Sequence, residues 1–191
     1  MNIRDGDALI VVDVQNDFLP GGALPVAHGD EVIAPLNEYL ARFAAAGRPI
    51  VATRDWHPPN HCSFAEQGGP WPAHCVADTP GAAFAGNLEL PAQTQVVSKA
   101  MQAEHEAYSG FQGTQLARTL EGAGVSRVFI GGLATDVCVL NTVRDALQAG
   151  FETCLLLDAS RAVDVTPGDG QRAIEEMQAK GAQPLTLRDL G

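Results

Sequence analysis

FIGGLATDVC, residues 129–138, decides how this chain is read. The stretch leaves an apolar run, crosses a glycine-rich turn and enters a helical pattern that continues to Gly150. A strand feeding directly into a helix is the repeating unit of a parallel sheet. The same path puts Cys138 at the first turn of the helix, where free backbone N–H groups and the helix dipole favour an anion. A thiol there is predicted to be partly ionised near neutral pH, and the thiolate is the nucleophilic form. The alternative is a buried cysteine that packs as a small hydrophobe.

Outward from this stretch the same alternation recurs. Strands are predicted at 8–14 (ALIVVDV), 49–54, 94–99, 127–132, 152–159 and 183–187. Helices are predicted at 29–47, 114–124, 135–150 and 168–181, several closed by a glycine. The order specifies an α/β, three-layer fold: a central, mostly parallel β-sheet with helices on both faces. Residues 55–92 interrupt the pattern. They hold both tryptophans and three of the five histidines, and so long an irregular stretch inside a compact fold is usually functional.

Size and charge narrow the function. With 191 residues the chain is expected to form a single domain, 1–191, with a proper core. A net charge of −11 lacks the basic footprint that nucleic acid requires. The cysteines at 62, 75, 138 and 154 are too few and too irregular for a disulfide scaffold. The opening MNIRDGDALIVVDV has no signal-peptide architecture, and no segment approaches the roughly 20 apolar residues of a membrane span. A cytoplasmic enzyme acting on a small molecule, monomeric or homo-oligomeric, is the expectation.

In a parallel sheet, ligands bind beyond the carboxyl ends of the strands. Polar residues that end strands should therefore converge: Asp13, Asp55, Lys99 and Cys138. Asp13 can take the thiol proton and later return it to a leaving amine, while Lys99 stabilises both anions. The competing reading makes Asp13 and Lys99 a structural ion pair. A second constellation is RDWHPPNHCSF (54–64) followed by WPAHC (71–75). Asp55, His57, His61 and His74 offer a carboxylate and three imidazoles, suitable for zinc, iron(II) or manganese. A rival set, His57, Cys62, His74 and Cys75, would make a closed structural zinc site. Of the nearby aromatics Phe18, Trp56, Trp71 and Tyr108, core packing is the default, but Phe18 and Trp71 lie in glycine- and proline-rich loops and are the better candidates for a flat apolar pocket.

At these residues the sequence resembles the nicotinamidase/pyrazinamidase branch of the isochorismatase-like cysteine hydrolases. The matching stretches are VVDVQNDFLPGGALPV (11–26), VATRDWHPPNHCSF (51–64), GGPWPAHCV (68–76), VSKA (97–100), AYSGFQGT (107–114) and GLATDVCVLNTVRDAL (132–147). The resemblance implies a triad of Asp13, Lys99 and Cys138. It implies an oxyanion hole from the N–H groups of Ala134 and Cys138, and a cis peptide between Leu133 and Ala134. It implies metal ligation by Asp55, His57, His61 and His74, most simply of one Zn²⁺ ion, with Fe²⁺ or Mn²⁺ as alternatives. Phe18, Trp71 and Tyr108 would line a pyridine pocket, with nicotinamide as substrate. The other readings are a metal-free hydrolase of the superfamily, such as an isochorismatase or carbamoyl amidase, and a non-enzymatic zinc-binding module.

Overall fold

The computed structural model describes residues 1–191. Six strands form one sheet: β1 (Asp7–Val12), β2 (Ile50–Asp55), β3 (Gln95–Lys99), β4 (Arg127–Leu133), β5 (Glu152–Arg161) and β6 (Gln183–Leu185). Their spatial order is β3-β2-β1-β4-β5-β6, and every neighbouring pair is parallel. Both central strands, β1 and β4, are buried along their whole length, which is why DALIVV and RVFIGGL read as apolar runs without alternation.

Four helices cover the sheet: α1 (Ile33–Ala45), α2 (Leu116–Gly122), α3 (Leu140–Gln148) and α4 (Asp169–Ala179). Alternate residues of β1 serve the two layers. Leu9 and Val11 pack with Leu36, Tyr39, Leu40 and Phe43 of α1. Ala8, Ile10 and Val12 share the opposite core with Leu120 of α2, Val143 of α3 and Met177 of α4. The three-layer architecture and the boundaries read from periodicity hold to within a few residues. The main difference is at the N-terminus of α1, where Gly29–Val32 forms a 3₁₀ turn before the helix proper.

The chain leaves β1 and β4 for opposite faces, so a crevice opens between their carboxyl ends. This switch point is where doubly wound sheets bind ligands. Gly132 makes the close approach possible. A Cβ there would lie 2.1 Å from the Val12 carbonyl oxygen, and its φ of +130° suits glycine alone. Beyond β4 the Leu133–Ala134 peptide is cis, as the resemblance implied. Thr135–Val139 then forms a single π-helical turn before α3. The Val139 N–H reaches back five residues to the Ala134 carbonyl at 3.0 Å, a widened turn of a kind that recurs at functional sites. No helix is long and apolar enough to cross a membrane.

Candidate active site

Three strand ends supply the charged centre. Lys99, the last residue of β3, is fully buried and sends its ammonium across the crevice. Its Nζ lies 2.9 Å from Asp13 Oδ2, 3.5 Å from Cys138 Sγ and 3.3 Å from the Ala107 carbonyl, and it also pairs with Asp55 Oδ1. Asp13, just beyond β1, adopts the left-handed conformation with φ 51°. Its Oδ1 accepts a hydrogen bond from Thr53 Oγ1 at 2.7 Å. Its Oδ2 has the ionic contact with Lys99 but no well-aligned hydrogen bond.

One ammonium facing two buried carboxylates leaves excess negative charge in a low-dielectric site. Burial raises the Asp13 carboxyl above the usual aspartate range, with Lys99 opposing and Asp55 reinforcing the shift. Burial also pushes the Cys138 thiol well up, and Lys99 only partly offsets burial and the two carboxylates. Burial alone would lower Lys99, but Asp13, Asp55 and Cys138 together hold it well above the ordinary lysine value. Burial thus works against the ionisation expected of Cys138. Desolvation and the two carboxylates oppose the Lys99 ammonium, so a neighbouring base is needed to take the proton.

The irregular stretch after β2 folds back over the same end of the sheet. It is tied down by short bridges, His57 to Val76 and Phe64 to Trp71. Asp55, His57 and His74 bring ligand atoms within 4.8 Å of one another. His57 Nδ1 bonds the His74 carbonyl at 3.0 Å, and His74 Nδ1 bonds the Pro72 carbonyl at 2.8 Å. With those nitrogens donating, both Nε2 atoms keep their lone pairs for a cation. Burial, followed by the repulsion of His74, lowers His57 to about 3, so its ring is neutral and fit to ligate. This donor set and the uncompensated negative charge beside it both suit a divalent ion.

His61 is placed differently from the other three. It stacks on His57 with ring centroids 4.3 Å apart, and its ligand atoms group with His57 and Glu106. Its Nε2 contacts the His105 carbonyl at 3.1 Å and its Nδ1 contacts Ser63 Oγ at 2.7 Å, so both nitrogens are engaged. Neither Cys62 nor Cys75 joins any potential metal cluster. Cys75 is buried in the apolar core, and burial drives its thiol far up. The closed structural zinc set is not formed.

The pocket over this centre encloses about 410 Å³ including its open mouth. Phe18, Trp71 and Tyr108 line it, as expected, together with Asp55, His57, His74, Ala134 and Cys138. The Trp71 indole N–H donates to the Tyr108 hydroxyl at 3.2 Å. The Ala134 N–H forms no hydrogen bond within the protein. Several further contributors complete the site; of these only Val137, the apolar residue just before the nucleophile, stood out in the sequence as able to tune substrate breadth. Glu106, Leu24, Val137 and Val163 also line the pocket. Gln15 clasps Asp55 from both sides: its Nε2 donates to the Asp55 carbonyl and its Oε1 accepts the Asp55 N–H, each at 2.8 Å. Asp17 accepts the Cys75 N–H at 2.7 Å and so fixes the residue next to His74. Gln15 and Asp17 stand in the quoted VVDVQNDF stretch. Glu106 stands in a loop without periodicity, where no signal marks it.

A model of the isochorismatase domain matches residues 7–189. The nicotinamidase of Acinetobacter baylyi is 38% identical over 205 aligned positions, covering 96% of this chain and 94% of that protein. Among solved structures, the pyrazinamidase of Pyrococcus horikoshii in complex with zinc superposes with a TM-score of 0.92 and 53% identity, covering 95% of this chain and 99% of that one. PnC1 from L. infantum in complex with nicotinate gives 0.90 and 37%, covering 97% and 94%. The chain belongs to the isochorismatase-like cysteine hydrolases, within their nicotinamidase and pyrazinamidase branch.

Proposed function

We propose that this enzyme hydrolyses nicotinamide, and pyrazinamide alongside it, to the ring carboxylate and ammonia, with Asp13, Lys99 and Cys138 as its catalytic residues. The observation that carries this reading is the single buried ammonium of Lys99 within reach of both Asp13 and Cys138, under a pocket walled by Phe18, Trp71 and Tyr108. Asp55, His57 and His74 would hold the metal, most simply Zn²⁺, and His61 would join them only by releasing the His105 carbonyl. A divalent ion held there would supply a Lewis-acidic point for orienting a nitrogen heterocycle in the pocket.

Asp13 is the base. Its raised pKa brings it nearer to that of the thiol, so proton transfer is less uphill than to an ordinary carboxylate. As Asp13 removes the Cys138 proton, sulfur bonds to the carboxamide carbon and the C=O electron pair moves onto oxygen. That oxygen is stabilised by the N–H groups of Ala134 and Cys138, interactions of a type whose loss commonly costs about 10²–10³ in rate. Collapse breaks the C–N bond, and ammonia leaves with the proton from Asp13. Water then attacks the thioester while Asp13 accepts one of its protons. The C–S bond breaks, the acid is released, and the proton returns to sulfur. The reaction belongs to pyridine-nucleotide salvage.

The test is ammonia release from nicotinamide by metal-loaded enzyme, with intact mass measured on rapidly quenched samples. Stoichiometric ammonia and acid, with a nicotinoyl adduct mapping to Cys138, is the expected result. Turnover without any adduct in either pre-steady-state or steady-state samples contradicts the covalent route.

A further inference from the structure

Asp136 is not used by the chemistry above, yet its carboxylate is fully engaged. Its Oδ1 accepts the N–H of Val163 at 2.9 Å, and its Oδ2 accepts the N–H of Asp164 at 2.8 Å. Two successive backbone N–H groups thus point at one carboxylate. Asp164 is held in the left-handed conformation, with φ 51°. Its own Oδ1 accepts the Gly170 N–H at 2.7 Å, at the start of α4. Asp169 Oδ2 accepts the Thr166 N–H at 2.9 Å. Residues 162–168 therefore form a strap between β5 and α4 that is pinned by side-chain carboxylates.

The strap has two apolar side chains with different fates. Val163 is half-buried and lines the pocket beside Val137 and Cys138. Val165 at its crest is 69% exposed. The Asp136 clamp ties the Val163 and Asp164 amides to the nucleophile turn, and the Val163 side chain also packs against the core cluster that contains Leu133 and Ala134. Charge-assisted hydrogen bonds of this kind are worth about twice a neutral one.

We infer that Asp136 is a positioning residue that holds the 162–168 strap, through Val163, as a wall of the substrate pocket, and so sets how large a ring carboxamide the enzyme accepts. This rests on the carboxamide reading of the same pocket. In Asp136→Asn the amide oxygen can accept only one of the two N–H groups reliably, and the –NH₂ faces the other. The strap's hold on the nucleophile turn is then loosened at Val163 and Asp164 while its Asp164–Gly170 and Asp169–Thr166 bonds persist, and Lys99, Asp13 and Cys138, each held by other contacts, keep their arrangement.

The experiment compares wild type, Asp136→Asn, Val163→Ala and the double variant. It measures KM and kcat for nicotinamide and for the bulkier quinoline-3-carboxamide, hydrogen exchange across 162–168, and the alkylation rate of Cys138 by iodoacetamide. In Asp136→Asn, exchange at the 163 and 164 amides is expected to accelerate by about tenfold or more, from the loss of a charged hydrogen-bond pair. KM for nicotinamide is expected to rise about tenfold, with kcat and alkylation within about twofold, and preference for the smaller ring falls. The two substitutions should be non-additive in KM, because both act through one wall. Unchanged exchange and unchanged KM would overturn the proposal. So would additive effects, or a fall in kcat and alkylation at constant KM, which would make Asp136 a support of the nucleophile turn alone. A wild type that releases ammonia from no carboxamide would instead overturn the function, and exchange at 163–164 would still decide whether Asp136 holds the strap.

Discussion

Strands β1 and β4 carry a buried ionic cluster at each end, and the two clusters differ in completeness. At the amino end, Asp7 and Arg127 are register partners. Arg127 donates from Nε to Asp7 Oδ1 at 2.8 Å and from Nη2 to Oδ2 at 2.7 Å, and the Arg4 N–H adds a third bond at 2.8 Å. The Arg4 guanidinium lies 3.9 Å from the same carboxylate and pairs with Glu152 at 2.8 Å, so each acid here has a cation of its own. At the carboxyl end, Asp13 and Cys138 flank one lysine that also serves Asp55. Charge is unbalanced, one carboxylate oxygen lacks an aligned donor, and a pocket lies above. The same two strands thus show what separates a structural ion pair from a reactive one. The first is saturated; the second is kept short of partners so that a substrate or a proton can supply the difference.

The comparison breaks most directly at Cys138. Cys138→Ala is expected to lose turnover by at least about 10⁴-fold, because the bond-forming atom is gone, while the melting temperature holds within a few degrees. Asp13→Asn should fall by about 10²–10⁴, the usual worth of a general base. Steady-state ammonia release and calorimetry measure both. A large loss of stability in Cys138→Ala would make the carboxyl-end cluster structural after all.

Next come the metal ligands. His57→Ala or His74→Ala, or treatment with a chelator, should cut activity by about 10²-fold or more, since substrate positioning is worth several kcal/mol. Far-UV circular dichroism should not change, because the core strands do not depend on the 55–75 loop. His61→Ala should cost less, as its nitrogens are already engaged, and Cys62→Ser should leave zinc content unchanged by elemental analysis. Zinc loss in Cys62→Ser with retention in His57→Ala would reverse the assignment.

At the amino end the signs exchange. Asp7→Asn leaves Arg127 buried with a weakened partner and should destabilise by about 3–5 kcal/mol in urea unfolding. Its kcat/KM per folded molecule should stay within about twofold, because the site lies at the other end of the sheet. A selective loss of activity in the folded fraction would show that the two ends are coupled.

The smallest effect is in pH. Asp13 must be ionised to act as base, so kcat/KM falls as pH drops through its pKa. Burial raises that value, so the acid limb should lie above pH ~4, the ordinary aspartate position. The same shift has a stability sign. A carboxyl raised in the folded state contributes stability below its unfolded pKa, and this is lost as pH rises through the folded one. Asp13→Asn should therefore be as stable as wild type, or more stable, near neutral pH. An acid limb at or below pH 4 would mean that Lys99 dominates over desolvation.

The strands, the four helices and the convergence of Asp13, Lys99 and Cys138 were legible because each depends on local pattern. Buried runs such as ALIVV can only be central strands, and polar residues ending parallel strands must meet at one edge. The metal-binding residue types were legible as a constellation. Asp55 and His57 follow one strand directly, and WPAHC marked His74. The Ser63 and His105 partners of His61 were not legible, because they come from tertiary folding.

By itself the sequence determined the element order, the parallel sheet and the chemical inventory, since periodicity and residue type are properties of the local chain. Only the tertiary structure decided the burial around Cys138, the partners of His61 and the pocket walls supplied by Glu106 and Val163. Burial, charge balance and carboxylate clamps such as Asp136 on the 162–168 strap depend on segments far apart in sequence. Their effect exists only once those segments share one dry, low-dielectric space.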